Sequence, residues 1–256
     1  MVGYSAVLLA LVVGIGPAMA GPRGGADLSQ DSGAAQPKDL PLIVAPAAGG
    51  VLASVAGAPN GTVLAVLVTG DGGWASIDRG VAGVLTEGGV PVIGLNALKY
   101  FWTRRTPDET GADLERLLRY YVTTTGRHDI VLVGYSRGAD VLPFMVARLS
   151  PELRKQLRLV ALLGPSHSVD FKFHVADWWS SAGRRSDQPV LPEVTRLLGG
   201  VRLLCAYGAD DRDTICPALP VQDAEVVRLD GSHHFDGAYA ELGRLVLRAA
   251  APRAGV

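Results

Sequence analysis

From residue 63 onwards the chain alternates short apolar runs with amphipathic stretches. Residues 63–68, 90–95, 130–133, 160–163, 202–207 and 225–229 read as strands, preceded by two shorter candidates at 42–44 and 51–55. Several are unbroken Val/Ile/Leu segments, the pattern of strands buried on both faces. Between them the period changes. Ile77, Val81, Val84 and Leu85 repeat at helical spacing, and Gly88-Gly89 supplies the stop. Thr106-Pro107-Asp108-Glu109 is a capping box with proline at the first helical position, opening a helix to about residue 121. A last helix is expected from about residue 239 to 249, and Pro143 falls inside the helix that follows residue 136, where a kink is expected. Alternation of this kind predicts a doubly wound, mostly parallel α/β sheet.

One of those strands ends in chemistry. Ile130-Val131-Leu132-Val133 feeds Gly134-Tyr135-Ser136-Arg137-Gly138, and a helical pattern leaves it. A Gly-x-Ser-x-Gly turn between strand and helix is the nucleophile elbow of the α/β-hydrolase fold, which lifts the serine onto a sharp turn above the sheet. Serine needs a base, and the base an orienting acid, supplied in this fold in the order Ser, acid, His from loops beyond strand ends. Strand 225–229 leads into Asp230-Gly231-Ser232-His233-His234, which makes His233 the first candidate base and His234 the second. Strand 202–207 leads into Gly208-Ala209-Asp210-Asp211-Arg212-Asp213-Thr214-Ile215-Cys216-Pro217. Asp211 has a frequent spacing from Gly208. Asp213-Thr-Ile-Cys-Pro217 fits an Asp-x-x-apolar-Pro loop after a two-residue insertion, so Asp213 is preferred, Asp211 second and Asp210 third. The oxyanion hole is expected from the backbone N–H of Arg137 and one from Asp71 or Gly72, in the glycine-rich loop Thr69-Gly-Asp-Gly-Gly-Trp74.

Composition narrows the partners. A net charge of -1 with 19% charged residues gives no electrostatic case for nucleic acid. A chain of 256 residues suits one α/β domain, taken here as residues 42–250, with a small cap inserted between the strands at 160 and 202. Trp74, Tyr100, Phe101 and Trp102, with Trp178 and Trp179 in the cap region, are candidates for a substrate pocket; a cap-core role is the competing reading. No cofactor or metal is expected: His233, His234 and Asp236 lack a second ligand cluster. Residues 1–20 read as a signal peptide, with an apolar run from Ala6 to Ile15 and a cleavage site after Ala20, although no Lys or Arg precedes the run. An uncleaved anchor is disfavoured because a span needs ~20 apolar residues. Residues 21–41 then read as a flexible linker. An exported chain would hold Cys205 and Cys216 in an oxidising space, where a disulfide is favoured over two buried thiols.

Taken together, Gly70-Asp-Gly-Gly-Trp74, Tyr100-Phe-Trp102, Thr106-Pro107, Gly134-Tyr-Ser136, Gly138-Ala-Asp-Val-Leu-Pro-Phe144, Asp213-Thr-Ile-Cys216 and Gly231-Ser-His-His-Phe-Asp-Gly237 resemble the VirJ/AcvB group of bacterial virulence proteins. The resemblance implies a periplasmic serine hydrolase. AcvB-type members act on lysyl-phosphatidylglycerol, which makes a phospholipid of the inner-membrane outer leaflet the expected substrate. VirJ-type members are linked to type IV secretion, which makes secretion components the alternative partners. A soluble ester or peptide is a further alternative substrate. Arg137 stands where the family would place an aromatic residue. AcvB-like proteins also carry an N-terminal region in addition to the one domain expected here. A cationic substrate amine would call for a carboxylate beside the pocket, with Asp71, Asp140 or an unused loop aspartate as candidates.

Overall fold

Seven strands form one sheet in the computed structural model, which describes residues 35–54, 57–58, 60–172 and 188–252 together with Met1. In chain order they are β1 (Leu42–Ala45), β2 (Val63–Val68), β3 (Val92–Leu95), β4 (Asp129–Tyr135), β5 (Leu157–Leu163), β8 (Leu203–Gly208) and β9 (Ala224–Leu229). Two short strands, β6 (Ser168–Val169) and β7 (Gln188–Pro189), pair separately as an antiparallel ribbon. The sheet order is β1-β3-β2-β4-β5-β8-β9, with only β1 antiparallel to its neighbour. The central strands are buried on both sides, as their apolar runs require; every residue of β2 is buried.

Helices cover both faces. On one lie α1 (Ser76–Glu87) and α7 (Tyr239–Ala250), which enclose Ile77, Val81, Leu85, Leu242, Leu245 and Val246 against the sheet. On the other lie α3 (Pro107–Thr125), α4 (Arg137–Ala147) and α6 (Val190–Thr195), burying residues such as Leu114, Leu118, Leu142 and Val194. Two one-turn helices, α2 (Ala97–Tyr100) and α5 (Pro151–Arg154), are the remaining α-helices among the described residues. The capping box at Thr106 forms in both directions, with Glu109 N–H donating to Thr106 Oγ1 at 3.2 Å and Thr106 N–H to Glu109 Oε2 at 2.7 Å. That helix runs four residues past the expected end, to the left-handed cap at Gly126. α4 continues through Pro143 without interruption. No helix among the described residues is long and apolar enough to cross a membrane.

One expectation is overturned at the base of the sheet. Of the strand expected at 51–55, the described residues 51–54 do not form one: Val51 makes a single bridge to Ala47, and the carbonyls that follow turn inward. The cause is Arg127, just after α3, which is 1% exposed. Its guanidinium donates to the carbonyls of Leu52, Ala53, Asn60, Val63 and Gly89 at 2.7–3.3 Å. A buried guanidinium supplies donors in a fork that no lysine can copy. Arg127→Met should therefore leave several carbonyls unsatisfied and cost about 3–5 kcal/mol of stability, read from the shift of a urea-unfolding curve. The end of the segment read as linker is also tied down. Leu40 is buried, and Asp39 pairs with Arg116 of α3, which holds its carboxyl below the usual carboxylate range.

Candidate active site

Four loops meet beyond the C-terminal ends of β2, β4, β8 and β9. Ser136 follows β4 with φ 51° and ψ −122°, a sparsely populated conformation held by its surroundings. Both glycines of the turn are dictated by close approach. A Cβ at Gly134 would stand 2.4 Å from the carbonyl oxygen of Gly138, and one at Gly138 would stand 2.0 Å from that of Val68. Ser136 N–H donates to Leu163 O of β5 at 2.9 Å, which fixes the turn to the next strand.

His233 reaches the serine from beyond β9, with Nε2 2.9 Å from Ser136 Oγ. On its other side Nδ1 lies 2.7 Å from Asp211 Oδ2. The carboxylate selects the tautomer in which Nδ1 donates, leaving Nε2 to accept the serine proton. The preference for Asp213 is corrected: Asp211, the second candidate, faces the base. The reason is a tight turn. Asp211 N–H donates to Gly208 O at 3.0 Å, and Asp210 N–H donates to Gly231 O at 2.9 Å, so the two loops run in contact. Gly208 allows that contact, since a Cβ there would come within 2.1 Å of Ser232 O. Asp213 is exposed and only its backbone takes part, donating to Asp211 Oδ1 at 3.2 Å. Asp210 is likewise exposed. His234, the second candidate base, turns away from the serine and meets the hydroxyl of Tyr135 at 2.8 Å through Nδ1.

The acid loop is clipped at its end. Cys205 of β8 and Cys216 are joined by a disulfide, both buried, with Asp211 on the segment between them. Closing a loop of this length is worth about 2–4 kcal/mol. Ile215 N–H also donates to Pro165 O at 3.2 Å, linking this loop to the turn after β5. That turn packs on the base: a Cβ at Gly164 would touch the His233 ring at 3.1 Å.

The glycine-rich loop after β2 flanks the nucleophile, since a Cβ on Gly70 would lie 3.3 Å from Ser136 Cβ. Buried Thr69 anchors it, with Thr69 N–H donating to Leu95 O at 3.1 Å and Thr69 Oγ1 accepting from Ala97 N–H at 2.9 Å. Asp71 and Gly72 thus stand in the loop beside Ser136, and Arg137 opens α4 directly after the serine. Asp71 is not an open carboxylate: the Arg137 guanidinium takes both its oxygens.

Asp140, one turn into α4, is 5% exposed and accepts Ser166 N–H at 2.6 Å. Burial pushes its carboxyl up to about 8, against the opposing effects of the Ser166 bond and Arg137; Asp71 and Asp213 add to the rise. The folded protein therefore holds a proton that the unfolded chain releases near pH 3.8. Stability from this group is complete below that value and is lost as pH rises through about 8. Asp78 moves in the same direction but only to about 6, so the interval from pH 6 to 8 isolates Asp140. Asp140→Asn keeps an acceptor for Ser166. It should remove about 2–3 kcal/mol of stability change across that interval, measured by urea unfolding at each pH.

The expected aromatic pocket is not assembled by the described residues. Tyr100 and Phe101 are 2% and 0% exposed and belong to the core, where Phe101, Phe144 and Phe171 pack edge to face. Tyr100 donates from its hydroxyl to Asp113 at 2.5 Å. The Trp74 ring lies over Gly94 of β3, where a Cβ would be 2.5 Å away. Trp102 is on the surface, 63% exposed. The cap region leaves and returns through β6 and β7, and Trp178 and Trp179 lie outside the described residues. Among the described residues no cluster of His, Cys, Asp or Glu could hold a metal ion.

Serine, aspartate and histidine on the loops after β4, β8 and β9 of a mostly parallel sheet define an α/β-hydrolase fold, and solved structures agree. An α/β serine hydrolase homologue from Coxiella burnetii superimposes with a TM-score of 0.55 at 17% identity, covering 82% of this chain and 91% of that one. Est1E from Butyrivibrio proteoclasticus gives a TM-score of 0.55 at 13% identity, covering 82% and 94%. The esterase domain of a Rhodothermus marinus protein gives 0.51 at 15% identity, covering 83% and 99%. No curated protein sequence matches this one significantly. The model of the family described as bacterial virulence protein (VirJ) matches residues 62–254, and the chain belongs to that family.

Proposed function

We propose that the protein is a serine ester hydrolase, and that its substrate is the aminoacyl ester of an aminoacyl-phosphatidylglycerol. The observation that carries the reaction class is the continuous relay Ser136–His233–Asp211 at 2.9 and 2.7 Å. Ser136 Oγ attacks the ester carbonyl while His233 Nε2 takes its proton, and Asp211 stabilises the imidazolium that forms. The N–H groups of Arg137 and of Asp71 or Gly72 hold the oxyanion. Collapse expels the glycerol hydroxyl, protonated by His233. Water, deprotonated by His233, then cleaves the acyl-enzyme and releases the amino acid.

The lipid substrate rests on the VirJ family membership and on the resemblance to its AcvB branch. Engagement of Asp71 by Arg137 and burial of Asp140 leave the exposed Asp213 and Asp210 as partners for the substrate ammonium. Export through a cleaved leader is part of the same reading. The Cys205–Cys216 bridge supports it, because disulfides persist in oxidising compartments. The leader itself, residues 1–20, lies outside the described residues apart from Met1. The resemblance to VirJ-type members linked to type IV secretion gives a second reading, an accessory role at secretion machinery with the fold as a binding surface. A complete relay is not needed for that role, so the enzymatic reading is preferred.

Lipid analysis of the host bacterium, with the gene deleted and restored as wild type or Ser136→Ala, tests the substrate. Aminoacyl-phosphatidylglycerol should accumulate in the deletion and with Ser136→Ala, and return to normal with wild type. Unchanged lipids alongside labelling of the purified protein by a fluorophosphonate would retain the hydrolase and discard this substrate.

A further inference from the structure

We infer that the side chain of Arg137 is a positioning residue for the oxyanion hole, fixing the loop that bears the second donor. The inference rests on the serine-hydrolase reading and extends it to a group that the relay does not use. Arg137 follows the nucleophile, and its backbone N–H is already assigned to the oxyanion. Its guanidinium, on a residue only 8% exposed, folds back over the glycine-rich loop. There Nε and Nη2 face the two oxygens of Asp71 in a fork-to-fork pair, with Nη2 3.2 Å from Oδ2. Nη1 donates to the carbonyl oxygen of Asp170 at 2.5 Å, just after β6. Asp170 is in turn gripped by Arg104 through two bonds at 2.8 and 3.2 Å.

One side chain thus joins three segments: the elbow, the loop after β2 and the exit of the β6 ribbon. The loop needs such a tether. Residues 70, 72 and 73 are glycine, and Gly73 has φ +67°, so the backbone around Asp71 has little intrinsic stiffness. An oxyanion donor works only when held in place before the charge develops. Arg137 sets both halves of the hole from a single position, one through its own amide and one through Asp71. A lysine would keep the charge and lose the fork. The pair also accounts for a basic residue at a position where the family resemblance calls for an aromatic one.

The test compares Arg137→Lys, Arg137→Met, Asp71→Asn and the double variant Arg137→Met/Asp71→Asn with wild type. The readouts are kcat and KM for p-nitrophenyl butyrate, fluorophosphonate labelling rate and thermal unfolding. Each single variant should lose about 10- to 100-fold in kcat with KM changed less than about threefold, because a displaced donor weakens the transition state and not the ground state. The double variant should be no worse than the poorer single one, since both break the same tether. Labelling should slow in parallel. Asp71→Asn leaves the Arg137 bond to Asp170 in place, and so provides the reading if Arg137→Met fails to fold. Unchanged kcat, a loss confined to KM, or additive losses in the double variant would overturn the tether and leave the relay standing. A wild-type protein that neither labels nor turns over would remove the hydrolase reading and this inference together.

Discussion

Ser136→Ala should fold as wild type does and lose ester hydrolysis by ~10³-fold or more, since the covalent step disappears while the oxyanion donors remain. The fold should tolerate the change. Ser136 owes its strained backbone to the packing of Gly134 and Gly138 against neighbouring main chain, not to its own hydroxyl. A fluorophosphonate should label wild type and leave the variant unmarked. The measurement pairs that labelling with circular dichroism, so that loss of fold is not mistaken for loss of nucleophile. Equal labelling of both proteins would sink the assignment of Ser136.

Asp211→Asn should cost about 10³–10⁴ in kcat, because an amide can present its N–H to the imidazole and favour the wrong tautomer. Asp213→Asn should cost far less. Its carboxylate is exposed, and the contact that its residue makes to Asp211 comes from the backbone, which the substitution keeps. Steady-state kinetics of the two variants, side by side, decide the point. A larger loss for Asp213→Asn would mean that the acid loop moves before the reaction, and that the relay seen here is not the reacting one.

Much of the catalytic frame is readable from local pattern. The elbow is a short stretch in which strand, glycines and serine are contiguous, so turn chemistry alone indicates it. His233 was legible for the same reason, sitting in a turn directly after an apolar strand. The Thr106 capping box and the buried runs of β2, β4 and β5 are local too. Residues 51–54 show where local pattern misleads. Their apolar character suggests a strand, yet Arg127, 74 positions from Ala53, draws carbonyls that a sheet would have used.

The sequence by itself indicated the long strands and helices, the candidate nucleophile and base and the loop that carries the candidate acids, because each is marked by neighbours in the chain. Only the tertiary structure decided which aspartate meets His233, since that depends on the Gly208 turn pressing against Gly231 and Ser232 of another loop. It also sent Tyr100 and Phe101 into the core, because Phe101 meets the ring of Phe171 from the segment after β6, which in turn packs on Phe144 of α4. The Arg137–Asp71 pair spans 66 residues and the Asp140–Ser166 bond 26. Contacts between separate loops leave no periodic trace in the chain. They arise when the parallel sheet brings the ends of β2, β4, β5, β8 and β9 to one edge, and charge and hydrogen bonding then select among the side chains assembled there.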